Sequence, residues 1–173
     1  MVGSTTAWKC TKGERQQGWQ RREEVYVYNK LFRNELMAVA RNLEGEEVAR
    51  VPGGISAFSP NGDTIYSLNF TRLHYVGGYG YAAPRLQQDS IPCPDDDGIW
   101  AYDTRTSERH LIVSVADVAR ELNLPSSPAP FQFLTHVVPS PSGQHLCFLH
   151  RRWLSDCGVS TAVCVCAAGG AGL

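Results

Sequence analysis

Apolar side chains recur along this chain at alternate positions, in short runs broken by Gly, Pro, Asn and Ser. Val25-Tyr-Val-Tyr28 has this pattern, as do residues 55–59, 64–70, 99–103, 109–113, 132–138 and 145–151, and Thr161-Ala-Val-Cys-Val-Cys166. A period of two places one set of side chains on one sheet face, so each run reads as a half-buried β-strand. Glu35-Leu-Met-Ala-Val-Ala-Arg-Asn-Leu43 also suits a helix by composition. Glu44-Gly-Glu46 and then Glu47-Val-Ala-Arg-Val51 put a turn and a second run behind it, so 35–51 is read as two strands. One short helix is expected over Val115 to Leu122, with Ser114 as its cap and Pro125 to Pro130 as its stop.

Two of these hairpins are copies of one another. Residues 55–68 and 136–149 each carry an apolar run, then Ser-Pro-x-Gly, then a second alternating run. Pro presets φ at the first corner of the turn, and Gly accepts the positive φ that closes it. Ser59 and Ser140 are equivalent and 81 residues apart. Only one further hairpin lies between the copies, Gly98 to Val113, and the surplus falls into two segments, 71–97 and 115–130. Without these segments the spacing approaches the roughly 40 residues of a propeller blade. The reading is therefore one four-stranded module with two insertions, followed by a second module.

Ser-Pro-x-Gly hairpins alternating with a Tyr-Asp-x-x-Thr hairpin resemble TolB-type and WD40-like β-propeller repeats, over about the last two-thirds of the chain. Ser67 to His74 with Gly78-Tyr-Gly-Tyr81 is similar to uncharacterised TolB-like propellers. The resemblance implies an all-β fold, a partial β-propeller of about two and a half four-stranded antiparallel blades. It forms a single domain over 1–173: blade 1 at 1–53, blade 2 at 54–130 with its insertions, and an incomplete blade 3 at 131–173. A closed ring needs 4–8 blades, so the chain is expected to be a fragment of a larger propeller or to self-associate through open blade edges.

Composition narrows the partners. With 43% hydrophobic and 19% charged residues the chain belongs to the globular class. A formal net charge of −1 gives no global case for nucleic acid. No apolar run is long enough for a membrane span and no signal-peptide pattern opens the chain, so a cytoplasmic protein is expected, or a periplasmic or secreted one if the N-terminus is truncated. Cys10, Cys93, Cys147, Cys157, Cys164 and Cys166 form no Cys-x-x-Cys pair and read as small buried hydrophobes in a reduced compartment. Asp95-Asp96-Asp97 lacks the frame of a calcium loop and reads as a solvated turn.

In a four-stranded meander the loop after the second strand and the loop leaving the fourth lie at one end. Both insertions therefore elaborate one rim, where function concentrates. The ligand-binding candidates there are Arg72, His74, Tyr79, Tyr81, His150, Arg151 and Arg152. Guanidinium groups beside aromatic rings suit an acidic saccharide or a protein ligand without a cofactor. His136-Val-Val-Pro-Ser-Pro with Phe148-Leu-His150 resembles part of the oligogalacturonate lyase propellers. That likeness implies an alternative, a lyase acting on uronate oligosaccharides with Mn or another divalent metal held by His136 and His150. Val138 stands where the family has a Gln ligand.

Overall fold

The computed structural model describes residues 17–20, 24–77, 80–81, 91–124, 130–156 and 158–173. Three sheets follow one another. The first holds β1 (Gln17–Gln20), β2 (Val25–Phe32), β3 (Glu35–Arg41) and β4 (Glu47–Pro52). The second holds β5 (Ala57–Phe58), β6 (Thr64–Leu68), β7 (Gly98–Asp103) and β8 (Arg109–Ser114). The third holds β9 (Gln132–Pro139), β10 (His145–Trp153) and β11 (Val159–Ala167). Helix α1 (Phe70–Gly77) sits between β6 and β7, and α2 (Val115–Glu121) follows β8. Each sheet is an antiparallel meander, with every strand bonded to its neighbours in sequence. At 51% strand against 10% helix, the class is all-β. Among the described residues no sheet closes into a barrel, and no helix is long and apolar enough to cross a membrane.

The two Ser-Pro-x-Gly hairpins are alike bond for bond. Ser59 N–H donates to Thr64 O at 2.9 Å, and Ser140 N–H to His145 O at 2.8 Å. Gly62 N–H donates to Ser59 O and Gly143 N–H to Ser140 O, both at 2.9 Å. Each serine Oγ also accepts from the first N–H of the returning strand, Thr64 in one copy and His145 in the other. Both glycines have positive φ, +77° and +73°, as the turn requires. A Cβ on Gly143 would sit 3.4 Å from Pro60 Cδ, so the two turns lie side by side.

Ladder positions facing one another alternate across each sheet, giving each sheet a rear face toward the preceding sheet and a front face toward the following one. Val25, Val27, Ala38, Ala40 and Val51 on the front of the first sheet cluster with Ile65 of the second, and Phe58 and Tyr102 pack against them. Tyr66, Leu68, Ile99 and Ala101 on the front of the second sheet join Leu146, Phe148, Cys164 and Cys166 of the third. At roughly 1.5–3 kcal/mol for each large apolar side chain buried, these two seams supply the main cohesion between sheets. Burial raises the Cys164 and Cys166 thiols above their ordinary range, which keeps them protonated, as fits small apolar core residues. Cys93 and Cys147 are half-buried free thiols; Cys10 and Cys157 lie outside the described residues.

Polar ties cross the seams as well. Asn29 on β2 is fully buried; its Nδ2 donates to Ile55 O at 3.1 Å and its Oδ1 accepts from Ile55 N–H at 2.7 Å. Its Nδ2 also meets Tyr81 Oη at 3.0 Å.

Two details differ from the sequence-based expectation. The strand expected over 64–70 stops at Leu68, because Asn69 caps α1: its Oδ1 accepts from Arg72 N–H at 2.9 Å. The strand expected over 55–59 is only Ala57–Phe58. The irregular first strand expected within 1–23 is represented by β1, which gives the first sheet its fourth strand. Helix α2 forms as expected, with a full capping box between Ser114 and Asp117.

Candidate functional site

The two ends of the sheets are distinct. At one end sit the tight turns. Thr104 N–H donates to Asp63 O at 2.9 Å and Arg105 pairs with Asp63, which fastens the β7–β8 turn to the Ser59–Gly62 turn. At the other end, the described parts of both insertions are knitted together. Val115 N–H donates to Asp97 O at 2.9 Å and Ala116 N–H to Pro94 O at 3.0 Å, so the 94–97 loop satisfies the exposed donors at the start of α2. Asn69 Nδ2 reaches Asp97 Oδ2 at 3.0 Å, which joins the start of α1 to the same loop.

Several of the expected ligand-binding side chains are not at the surface of this end. Arg72 projects from α1 into the protein and is 2% exposed. Its guanidinium donates to Gln132 O at 2.8 and 3.2 Å, to Ile91 O at 2.6 Å and to Pro92 O at 3.1 Å, and stacks 4.3 Å from the Phe131 ring. A planar fork with five donors can bind several carbonyls at once, and here it staples α1 to the 91–92 loop and to β9. Tyr81 is fully buried, edge-on to Phe70 at 5.2 Å, with its hydroxyl on Asn29. His74 is half-buried beside the exposed Tyr75, and its enclosed Nδ1 has no hydrogen-bond partner among the described residues. Arg151 and Arg152 are half-buried on opposite faces of β10. Tyr79 lies outside the described residues.

His150 and His136 lie in different surroundings. His150 is 2% exposed, and its Nε2 shares a 2.7 Å hydrogen bond with Oε1 of the fully buried Gln132. Burial, with Arg152 adding a smaller push, drops its pKa to about 4, so the ring is neutral. His136 is solvent-exposed at a β-bulge, with φ +57°, and its Nδ1 meets Thr135 Oγ1 at 2.9 Å. Val138, exposed on the same strand, offers no donor. These donors do not fit a divalent cation. Among the described residues no group of three or more His, Cys, Asp or Glu is placed to hold one.

Among the described residues, the insertion-bearing end carries a cleft of about 650 Å³ between the first and second sheets. Arg33 and Asn34 of the β2–β3 turn, with Glu35, form one wall; Asp96, Asp97, Trp100 and Arg109 form the other. Arg33 and Asn34 both have positive φ, 49° and 68°, as a two-residue hairpin turn that follows strand twist requires. Arg109 lies flat over Trp100, its Cζ 4.0 Å from the ring centroid, which fixes the direction of a long side chain. Gly53, at φ +87°, opens the floor: a Cβ there would meet Ser67 Oγ at 3.2 Å and Arg109 Nη2 at 3.5 Å. Two guanidinium groups and three carboxylates thus ring one trough.

Sequence reasoning located the end of the sheets but missed these residues. Arg109 pairs with Tyr102 in the β7–β8 ladder and lies diagonal to Trp100 on the same face, a neighbourhood that only the register reveals. The Arg33-Asn34 turn was legible, since Asn at a two-residue connection between apolar runs marks positive φ.

Compared with known proteins, the chain matches no family model, no curated protein and no solved structure at a significant level.

Proposed function

We propose that the three meanders are consecutive blades of a TolB-type, WD40-like β-propeller, and that the chain is a non-catalytic module whose insertion-bearing end binds a protein ligand. The bond-for-bond identity of the two Ser-Pro-x-Gly turns and the front-to-rear packing of successive sheets support the repeat. The observation that carries the ligand reading is the cleft ringed by Arg33, Arg109, Glu35, Asp96 and Asp97. Fixed charges of both signs, close together, suit a peptide segment that itself carries both signs; a polyanionic sugar would meet three carboxylates. With the Arg72 guanidinium committed to main-chain carbonyls, acidic-saccharide binding loses its expected anchor.

The test is parallel screening of the protein on mixed-charge peptide and acidic-glycan arrays, with Arg109→Ala and Asp96→Lys as the comparison. Peptide binding that both substitutions weaken supports the proposal. Binding confined to glycans favours a saccharide ligand. Incubation with uronate oligomers and Mn²⁺, followed by absorbance of a new double bond, checks the lyase alternative: metal-dependent turnover would overturn the non-catalytic reading.

A further inference from the structure

Among the described residues, all but one of the sheet edges are blunted against further pairing. β1 and β5 are short, at four and two residues. β4, β8 and β9 each carry a break in register, so their open groups fall out of line. β4 adds Glu47, Arg50 and Pro52, and β8 adds Arg109 and His110. Gly170 also packs tightly against the Ile112 carbonyl of β8. Short strands, bulges, charges and proline all keep an edge from recruiting another strand.

β11 has none of these guards. It pairs with β10 over nine successive positions without a break in register and carries neither charge nor proline. It also ends a sheet of three strands where the other two sheets have four. Hydrogen-bond parity shows which of its groups are left open. Ala168 N–H donates to Gln144 O and Leu154 N–H to Gly158 O, both at 2.8 Å. Even-numbered residues of the strand therefore bond inward to β10, and odd-numbered ones point outward. Ala167 is satisfied by the turn that follows it, donating to Ala171 O and accepting from Gly170 N–H, both at 2.8 Å. Val159, Thr161, Val163 and Val165 remain, with outward N–H and C=O groups that no described residue meets. Their side chains all stand exposed on the front of the sheet, Val163 by 70%.

We propose that β11 pairs antiparallel with β11 of a second copy of this chain across a two-fold axis, joining the two three-stranded sheets into one. A single register satisfies every open group. Centred on Ala162, it sets Val159 opposite Val165 of the second copy and Thr161 opposite Val163, each pair exchanging both of its N–H···O bonds. The front then carries cross-strand pairs of β-branched residues, which suit a pleated surface. Ala162 meets its own mate at the close, non-hydrogen-bonded position, where a small side chain fits. With no charge on the strand, the two-fold brings no like charges together. The second copy offers the same four open residues at the same spacing, reversed by the two-fold, so the strand is its own complement. Each copy has one such edge, and the contact closes at two copies. It rests on strand pairing alone and holds whether or not the sheets are propeller blades.

Sedimentation velocity of the intact chain over a range of concentrations tests the pairing. The wild type should be a discrete dimer. Val163→Pro deletes an outward donor but no bond to β10, and should sediment as a monomer with unchanged circular dichroism. Thr161→Lys puts a charge on the open edge and should do the same; it decides the matter if the proline variant fails to fold. Val138→Lys, exposed on the same face but on β9 at the far side of the sheet, should remain a dimer. Ala162→Cys should cross-link to its mate on mild oxidation, beyond the level that wild type shows. A folded wild-type monomer at high concentration would overturn the proposal, as would a dimer that survives Thr161→Lys. Loss of the dimer in Val138→Lys would replace edge pairing with packing of front faces, and open-ended polymers would rule out the two-fold. A dimer without the Ala162→Cys cross-link would reject this register.

Discussion

Arg72 offers the sharpest test of how the insertion-bearing end is held. Replacing it with Met keeps a long apolar stem but deletes every donor of a side chain that is 2% exposed. Ile91 O and Gln132 O lose a charged donor, while Pro92 O keeps the Gln132 N–H at 2.9 Å. Hydrogen bonds to charged groups contribute about 1.5–3 kcal/mol each, and a buried acceptor left without a donor costs about 1–3 kcal/mol. Relief from keeping a guanidinium out of water offsets part of that loss. The net expectation for Arg72→Met is about 2–4 kcal/mol of lost stability. Urea unfolding of wild type and variant measures it, with Arg152→Met, half-buried, as a comparison expected to cost less than about 1 kcal/mol. The reasoning fails if Arg72→Met unfolds within about 0.5 kcal/mol of wild type, and more decisively if it keeps full stability while losing ligand.

Three further outcomes are expected. His150 is neutral in the fold with a pKa of about 4 against the ordinary 6.5, so its contribution is fully present above pH 6.5 and declines as pH falls toward 4. The loss amounts to roughly 3 kcal/mol at most, and His150→Gln should flatten stability over that window in pH-dependent urea melts. Gly98→Ala would drive a Cβ into Val113 O and to 2.8 Å from Ser114 Cα, costing about 1–3 kcal/mol in thermal unfolding, whereas Gly169→Ala meets nothing and should be neutral. Ser114→Ala removes the Oγ half of the α2 capping box, leaving the Asp117 carboxylate on the backbone N–H of residue 114, and should cost about 1 kcal/mol by the same measurement.

Strand order and strand number were legible because a period-two pattern and turn residues act locally. The Ser-Pro-x-Gly turns, the strands over 35–51 and the α2 cap all follow from side chains within a few positions of one another. What escaped was decided at long range. Arg72 reads on paper as a surface cation in a polar insertion; it is buried because carbonyls of residues 91, 92 and 132 meet at its tip. His150 was placed on the rim by its match to Asn69, yet that equivalence ends where α1 begins: β6 stops at Leu68, while β10 runs on to Trp153. Helix α1 itself had a local signal, Asn69 before Phe70 and Leu73 with Gly77-Gly78 as the stop, which the expectation of a continuing strand obscured.

The strictly sequential order of strands within each sheet sets the timing of assembly. Each strand pairs with one already made, so a sheet can zip up as its hairpins appear, with short loops to close. The Asn29–Ile55 clasp spans only 26 residues and can lock as soon as the first sheet has its successor. The Arg72–Gln132 staple spans 60 residues. Until β9 is present, α1 carries a cation with one of its anchoring carbonyls missing. The insertion-bearing end is thus completed only when the first strand of the third sheet arrives.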